Sequence, residues 1–417
     1  MTRPRPAPVP RVAWVLAAVV AVGLAFPILW HQVHADPANR LVDLAVYREA
    51  GHSVLSGRAV YEFRTPPPQL LPFTYPPFPA VLAAPLALLP FLVVGWAWEL
   101  ASLALLCWLV AFCFRPVVAK WSDRQATGHG ARLAGWVTAL VAPLLLPVLI
   151  WLEPVRTTFR FGQVNIIIAA LVVADCALPR TRWPRGVLVG LAAAIKLTPA
   201  LFIPYLWLSG RRRPAYVATA TFFGCQLLAA AVIPRDSLDY WTGALFHSGR
   251  LGNNKVTANV AIRGALLRLH PPKPVFVALL LLVVGAAAWI GMSRALRASR
   301  GGAELAGVAL VGLTSVAISP VSWDHHLIWL VPAFAVLLAE PTRRRLATAV
   351  GLAALFYTRA PWWGARMVAR TGGLPELLWR LLNMSFTIVT LIAIVVLPLE
   401  PMSHLSRSSS RGGTPEE

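Results

Sequence analysis

Apolar positions along the chain fall into long blocks and not into the short alternations of half-buried strands. The blocks run at about 11–30, 91–114, 132–151, 163–178, 186–208, 214–234, 274–292, 303–319, 325–340, 346–358 and 381–398. Most are close to the roughly 20 residues that a helix needs to cross a bilayer core. The pattern predicts an all-α integral membrane protein of about 10–12 transmembrane helices: one domain over residues 1–400, then a disordered tail over 401–417. The apolar stretch Ala80 to Leu89 is too short to span, so it is expected to lie in the interface within a large first exterior loop. Block 186–208 is unusual because arginines flank both ends, Arg180, Arg182 and Arg185 before it and Arg211, Arg212 and Arg213 after it. Its centre reads Lys196-Leu197-Thr198-Pro199, where proline interrupts a helix. Two half-helices forming a hairpin would return both ends to one side, giving ten full spans plus the hairpin, and such a break is tolerated at membrane depth only against protein or a watery cavity.

Composition excludes a soluble fold. Of 417 residues 57% are apolar and 13% charged, against roughly 45–50% and 25% in soluble proteins. The 38 Lys and Arg outnumber the 17 Asp and Glu for a formal charge of +21. In a membrane protein that excess reports topology and not a nucleic-acid partner. With both termini cytoplasmic, the short inside segments carry 21 basic residues and the much longer outside segments 16, with Lys196 left inside a block. The run ending at Leu29 lacks a small-residue cleavage site and is read as a signal anchor. Cys107, Cys113, Cys176 and Cys225 lie inside apolar blocks without ligand-like spacing and are read as packing residues, with no metal site.

Polar residues that solubility does not explain concentrate on the exterior side. Asp43 and Tyr47 follow the first span, and Tyr75 lies in Phe73-Thr74-Tyr75-Pro76-Pro77-Phe78. Asp43 alone is compatible with an exposed loop carboxylate. A second cluster holds Glu153, Arg156, Arg160, Gln163 and Asn165. Amides at a span's outer end either cap the helix or face a ligand, and arginines beside them match phosphate in a bidentate fork. The third is Ser319-Pro320-Val321-Ser322-Trp323-Asp324-His325-His326. Side chains of this kind are expensive at a membrane boundary. Adjacent histidines on a helix diverge by about 100° and chelate one metal poorly, so catalysis or substrate orientation is the better reading; Trp323 suits either interfacial anchoring or stacking on a sugar. Lys196 at mid-block costs roughly 2.5–3.5 kcal/mol to insert, a cost that a lipid-linked phosphate would offset.

Six motifs in order resemble one family: Asp43 to Tyr47, Phe73 to Phe78, Trp151 to Arg156, Phe161 to Asn165, Gly190 to Ala200 and Ser319 to His326. Over about residues 40 to 340 the chain is similar to the actinobacterial alpha-(1→2)-mannosyltransferases that use polyprenol phosphate mannose, the phosphatidylinositol mannoside and lipomannan-branching enzymes. Asp175-Cys176 followed by Trp183-Pro184-Arg185-Gly186 looks closer to the lipomannan enzyme. Two positions depart from the family pattern. Asn259 is followed by Val260 and Ala261 where relatives carry hydrogen-bonding residues, and Asp324 stands where a small hydroxyl residue is usual, a carboxylate that would favour the His325 imidazolium.

The resemblance implies a type C glycosyltransferase of the cell membrane with its site on the exterior face. It implies a lipid-linked sugar donor, a glycolipid or lipoglycan acceptor, surrounding membrane lipids, and no required cofactor or metal. Going from a beta-linked donor to an alpha product calls for one in-line displacement, needing a base for the acceptor hydroxyl and positive charge for the departing phosphate. Asp43, His325 and His326 match the family's acidic and paired-histidine positions and are the catalytic candidates. Arg156, Arg160, Lys196 and Arg250 are candidates for phosphate contact by chemistry and position. Tyr47, Tyr75, Glu153, Gln163, Asn165, Asn259, Trp323 and Asp324 complete the expected substrate-binding set. A flippase or small-solute transporter would instead show charges in mid-span along a path, and only Glu99 and Lys196 fit that; transfer of another sugar from the same kind of donor is a third reading.

Overall fold

The computed structural model describes residues 11–36, 39–123, 145–340 and 342–401. The 401–417 tail beyond its first residue, and most of the 132–151 block, lie outside the described residues; 145–151 are helical. Among the described residues the chain is helical with no strand, and the only ladder contact is an isolated bridge between Asn259 and Trp323.

The chain begins with α1 (Arg11–His34), α2 (Val42–Ser56), α3 (Pro77–Ala87) and α4 (Phe91–Asp123). A sharply bent pair follows, α5 (Glu153–Phe161) and α6 (Asn165–Ala177), with the chain direction turning by 115° between them. Next come α7 (Val187–Ile195), a 3-10 turn at Thr198–Leu201, α8 (Phe202–Leu208), α9 (Arg212–Val232), α10 (Pro234–Thr242) and α11 (Ile262–Arg268). The C-terminal part holds α12 (Lys273–Arg300), α13 (Glu304–Ile318), a 3-10 segment Asp324–Trp329 running into α14 (Leu330–Leu337), α15 (Arg343–Tyr357), α16 (Ala360–Val368), α17 (Gly373–Asn383) and α18 (Ser385–Val396).

Among the described residues three helices are individually long and apolar enough to cross a membrane, within α4, α9 and α12, and up to five spans result if each bent pair counts as one. Their outer faces are apolar and exposed, with Leu281, Leu282 and Trp289 on α12 and Phe223 and Leu227 on α9. In water such a surface would aggregate; in lipid it is at home. The protein is a membrane protein.

The hairpin expected at Lys196 is present in outline. Helix α7 has nine residues, about 14 Å against a core of about 30 Å. It runs alongside α9 in the same direction: a Cβ on Gly186 would fall 2.0 Å from the Pro214 carbonyl oxygen and one on Gly190 2.4 Å from that of Ala218, while Gln226 Nε2 donates to the Ala194 carbonyl at 3.1 Å. Glycine is required at both positions for the backbones to approach this closely, and Gly186 also has φ +103. Helix α8 then returns the chain to the start of α9, so both ends of the hairpin lie at one level and Lys196 sits at its tip. Asp175 anchors the base, with Oδ2 accepting from the Gly186 and Val189 backbone amides at 2.9 Å each.

The segment between the first span and α4 does carry helices, α3 as expected and α2 in addition. They are in close contact, since a Cβ on Gly51 would lie 2.4 Å from the Ala83 carbonyl oxygen. The 359–380 segment, which lies between the last two apolar blocks, folds into α16 and most of α17. Its charged residues had masked an apolar face: Leu374, Leu377, Leu378 and Leu381 are all exposed on α17 at the i, i+3, i+4, i+7 spacing of an interfacial helix.

Candidate active site

The site is assembled from interruptions of helices. Asp43, Tyr75, Gln163, Asn165, Lys196 and His326 each stand at the start of a helix, in a turn, or at a break, where backbone direction changes and side chains from distant segments can converge.

Asp43 occupies the first turn of α2, where the helix dipole favours a negative charge. Its residue is half-exposed. The carboxyl nevertheless sits among protein groups, and burial pushes its pKa up to about 6, while the hydrogen bond from Gln163 and the Lys196 charge pull it down. One turn later Tyr47 points the same way: its hydroxyl donates to Gln163 Oε1 at 3.1 Å and lies 2.9 Å from the Tyr75 hydroxyl, which itself reaches Gln163 Oε1 at 3.2 Å. Gln163 is thus the hub joining α2, the Tyr75 turn and the α5–α6 break. The break depends on Gly162, whose φ of +65 and close approach to Leu44 (2.8 Å from an added Cβ) leave no room for a side chain.

Asn165 opens α6 immediately after that break. Its Nδ2 donates to the His325 carbonyl at 3.0 Å and its Oδ1 accepts from Lys196 Nζ at 2.9 Å. Lys196 also meets His326 Nε2 at 2.9 Å and lies over the Tyr75 ring at 5.4 Å. Asp43, Tyr47, Tyr75, Gln163, Asn165, Lys196 and His326 therefore form one connected network drawn from five separate stretches of chain. An ammonium Nζ donates, so Nε2 of His326 accepts and its ring proton resides on Nδ1. That Nδ1 is buried with no protein partner. The network consequently holds a carboxylate, an ammonium and an unpartnered imidazole N–H in one connected group.

His325 turns the other way. Its ring packs edge-on against Phe161 and His326, and neither ring nitrogen has a hydrogen-bond partner. The ion pair expected with Asp324 does not close to hydrogen-bonding length: Asp324 Oδ1 accepts the His325 backbone amide at 3.0 Å and stands 3.6 Å from Nδ1. Asp324 instead belongs to an adjoining charged group around Glu153, which is fully buried. Arg156 grips one carboxylate oxygen of Glu153 at 2.6 Å, and Arg359 pairs with the other at 2.8 Å. Arg359 was not singled out from sequence. It lies between the last two apolar blocks, some 200 positions beyond Glu153, and nothing in local spacing connects them.

The remaining candidates stand apart from the network. Arg160 is exposed with its guanidinium over Phe161. Arg250 bonds the Tyr61 carbonyl, and Tyr61 in turn bonds the Tyr75 carbonyl, so it is one layer removed. Asn259 is fully buried and engaged with backbone: Oδ1 accepts from Ala261 and Ser322 amides at 3.2 Å and Nδ2 donates to the Asn254 carbonyl. It holds the segment leading to the histidines, with Trp323 half-buried at the bridge opposite. Val260 and Ala261 are buried too, with the Val260 amide donating to the Ser322 carbonyl at 2.7 Å.

Comparison with known proteins places this arrangement. The model of glycosyltransferase family 87 matches residues 73–320. A polyprenol-phosphate-mannose-dependent alpha-(1-2)-phosphatidylinositol mannoside mannosyltransferase of Mycobacterium tuberculosis is 35% identical over 414 residues, 96% of this chain and 94% of the relative. The enzyme of the same name from Mycolicibacterium smegmatis is 33% identical over 84% of this chain and 82% of its own. A phosphatidylinositol pentamannoside mannosyltransferase of the latter organism is 34% identical over 78% and 75%. The chain belongs to glycosyltransferase family 87. It is a membrane glycosyltransferase, and the buried network described above, most of it within the matched region, is its candidate active site. No solved structure matches the chain.

Proposed function

We propose that this family 87 enzyme transfers mannose from polyprenol phosphate mannose to a mannose-bearing phosphatidylinositol glycolipid, forming an alpha-(1→2) linkage with inversion. The reading draws on the names of relatives aligned over nearly the whole chain. The observation that carries it is the placement of Asp43 in one network with Lys196 and His326. Asp43 is the base: it accepts the acceptor hydroxyl proton as that oxygen attacks the anomeric carbon. His326 is unsuited to that role while its Nε2 accepts from Lys196. Lys196 meets the departing phosphate with its remaining N–H, and His326 Nδ1–H supplies a second donor, so charge is neutralised where it develops. Arg156 and Arg359 add positive potential behind them. The site faces the exterior with both termini cytoplasmic, consistent with the basic inside segments.

The test is purified protein in lipid nanodiscs with polyprenol phosphate mannose and a phosphatidylinositol mannoside. The expected product is one mannose longer and cleavable by an alpha-(1→2)-specific mannosidase. A product of other linkage, or none, would refute the reading. The proposed displacement requires no metal, and transfer is expected to persist with a chelator present.

A further inference from the structure

A cavity of about 450 Å³ lies outside the catalytic network, between the 255–258 loop, the end of α11, and helices α16 and α17. This is within the range of roughly 300–1,000 Å³ usual for small-molecule sites. Its wall includes Lys255, Arg268, His270, Trp362, Arg380 and Asn383, and none of its lining residues is acidic. Arg268 is more than nine-tenths buried. One of its terminal nitrogens donates to the Val256 and Asn259 carbonyls at 2.9 Å, and its Nε–H has no partner. Asn383 Oδ1 is likewise buried without a partner. Unsatisfied donors and acceptors of this kind are costly unless a ligand or water completes them. Arg380 is partly neutralised by Glu376 at 2.6 Å, which leaves Lys255 and Arg268 as the unbalanced charge.

The cavity shares its walls with the active site along two routes. Trp362 carries the Arg359 guanidinium on its ring at 4.7 Å, and Arg359 pairs with Glu153 beside Asp324. Arg268 holds the Asn259 carbonyl, and Asn259 holds the segment before the histidines. The exposed leucine face of α17 places the cavity beside the lipid surface.

We propose that this cavity is the subsite for the acceptor's phosphodiester-linked polyol head group. Lys255 and Arg268 meet the phosphate, the Trp362 ring packs on a sugar face, and the Asn383 carbonyl oxygen accepts from a hydroxyl. A lipid-anchored acceptor lying with its tails in the bilayer could then extend its terminal mannose toward Asp43. This rests on the transfer reaction proposed above for the acceptor's identity.

The experiment compares the full-length protein with Lys255→Glu and Trp362→Leu in nanodiscs. Lys255 is exposed, so that variant is expected to fold; a thermal midpoint equal to the parent's checks Trp362→Leu. Each variant is expected to raise KM for a glycerophosphoinositol mannoside about tenfold, the effect of losing one charged or stacking contact. For Lys255→Glu the donor KM and the KM for a neutral mannobioside should stay unchanged. A rise in the donor KM would mean that the cavity takes the polyprenol phosphate, and no change in any KM would mean that it takes neither; both overturn the proposal. Calorimetric binding of glycerophosphoinositol mannoside without donor separates the two ideas. Absence of transfer by the unaltered protein counts against the reaction, whereas equal binding by parent and Lys255→Glu counts against the cavity.

Discussion

Lys196 and His326 are 130 positions apart in the chain and 2.9 Å apart in space. The tip of a broken helix meets the start of another, and the bond sets both the lysine's place and the histidine's tautomer. Because they act as one unit, their removal should not be additive. Lys196→Ala and His326→Ala are each expected to lower kcat by about 10²–10³-fold, as when one preorganised donor is lost. The double variant should be little worse than the poorer single one. Initial rates at saturating substrates give the cycle, and fully multiplicative losses would show the two to be independent.

Asp43 should govern the acid limb of the pH profile. A base must be ionised, and burial lifts its pKa from 3.8 to about 6. The transfer rate is therefore expected to rise through about pH 6 and level off above it. Asp43→Asn should remove that limb and cost about 10²–10⁴-fold, the range for general base catalysis. Stability runs the other way. A carboxyl whose folded pKa is raised stabilises the fold fully below its unfolded value of 3.8 and loses that contribution as pH climbs through about 6. Between pH 5 and 7 activity and this part of the thermal stability should thus move in opposite directions, and parent and Asp43→Asn melting curves should show it.

Much of this site was legible one segment at a time. Arginines at both ends of 186–208 and Pro199 in its middle announced the hairpin, because charge and helix breaking are local properties. The polar runs at Gln163 and Asn165 and at Asp324 to His326 stood out against apolar surroundings for the same reason. What could not be read was pairing. No periodicity tells that Asn165 binds both Lys196 and the His325 backbone, or that Arg359 belongs to Glu153. Helix α2 was missed because Asp43, Arg48, Glu49 and His52 interrupt its apolar positions; its buried residues Leu44, Val46, Tyr47, Ala50 and Gly51 become a face only once packed on α3. Asn259 was read as a ligand group because its relatives' polar neighbours suggested one, yet its side chain is committed to backbone.

Gly186 offers a test of the hairpin that touches no reacting group. Its φ is +103, and an added Cβ would fall 2.0 Å from the Pro214 carbonyl oxygen. Gly186→Ala must push α7 away from α9 and strain the backbone by roughly 1–3 kcal/mol. Since Lys196 is carried at the far end of α7, a displaced base moves the ammonium from its place beside Asn165. The expected result is a lower thermal midpoint together with a drop in kcat, while Gly210→Ala, strained alike by its φ of +84 but with nothing within 4 Å of an added Cβ, should leave the α7–α9 packing and kcat intact. Equal effects of the two would argue against close packing of α7 on α9.

Glu153 is the last element, and its burial makes a sharper claim than its exposed partners. The carboxylate side chain is 1% exposed, while Arg156 and Arg359 are 25% and 37% exposed. Desolvating an unpaired carboxylate is far more costly than leaving an arginine with access to water. Removing the carboxylate charge should therefore hurt less than removing its partners. Glu153→Gln keeps an acceptor for one arginine and is expected to cost about 1–2 kcal/mol, a figure lowered by solvent screening at the arginines. Arg156→Ala with Arg359→Ala strands the buried charge and should cost more, by about 3 kcal/mol or beyond. Adding Glu153→Gln to that double variant should then restore stability, because the stranded charge is gone. Unfolding midpoints of the three variants decide it. If the triple variant melted below the double one, Glu153 would be holding the fold by contacts other than its two arginines.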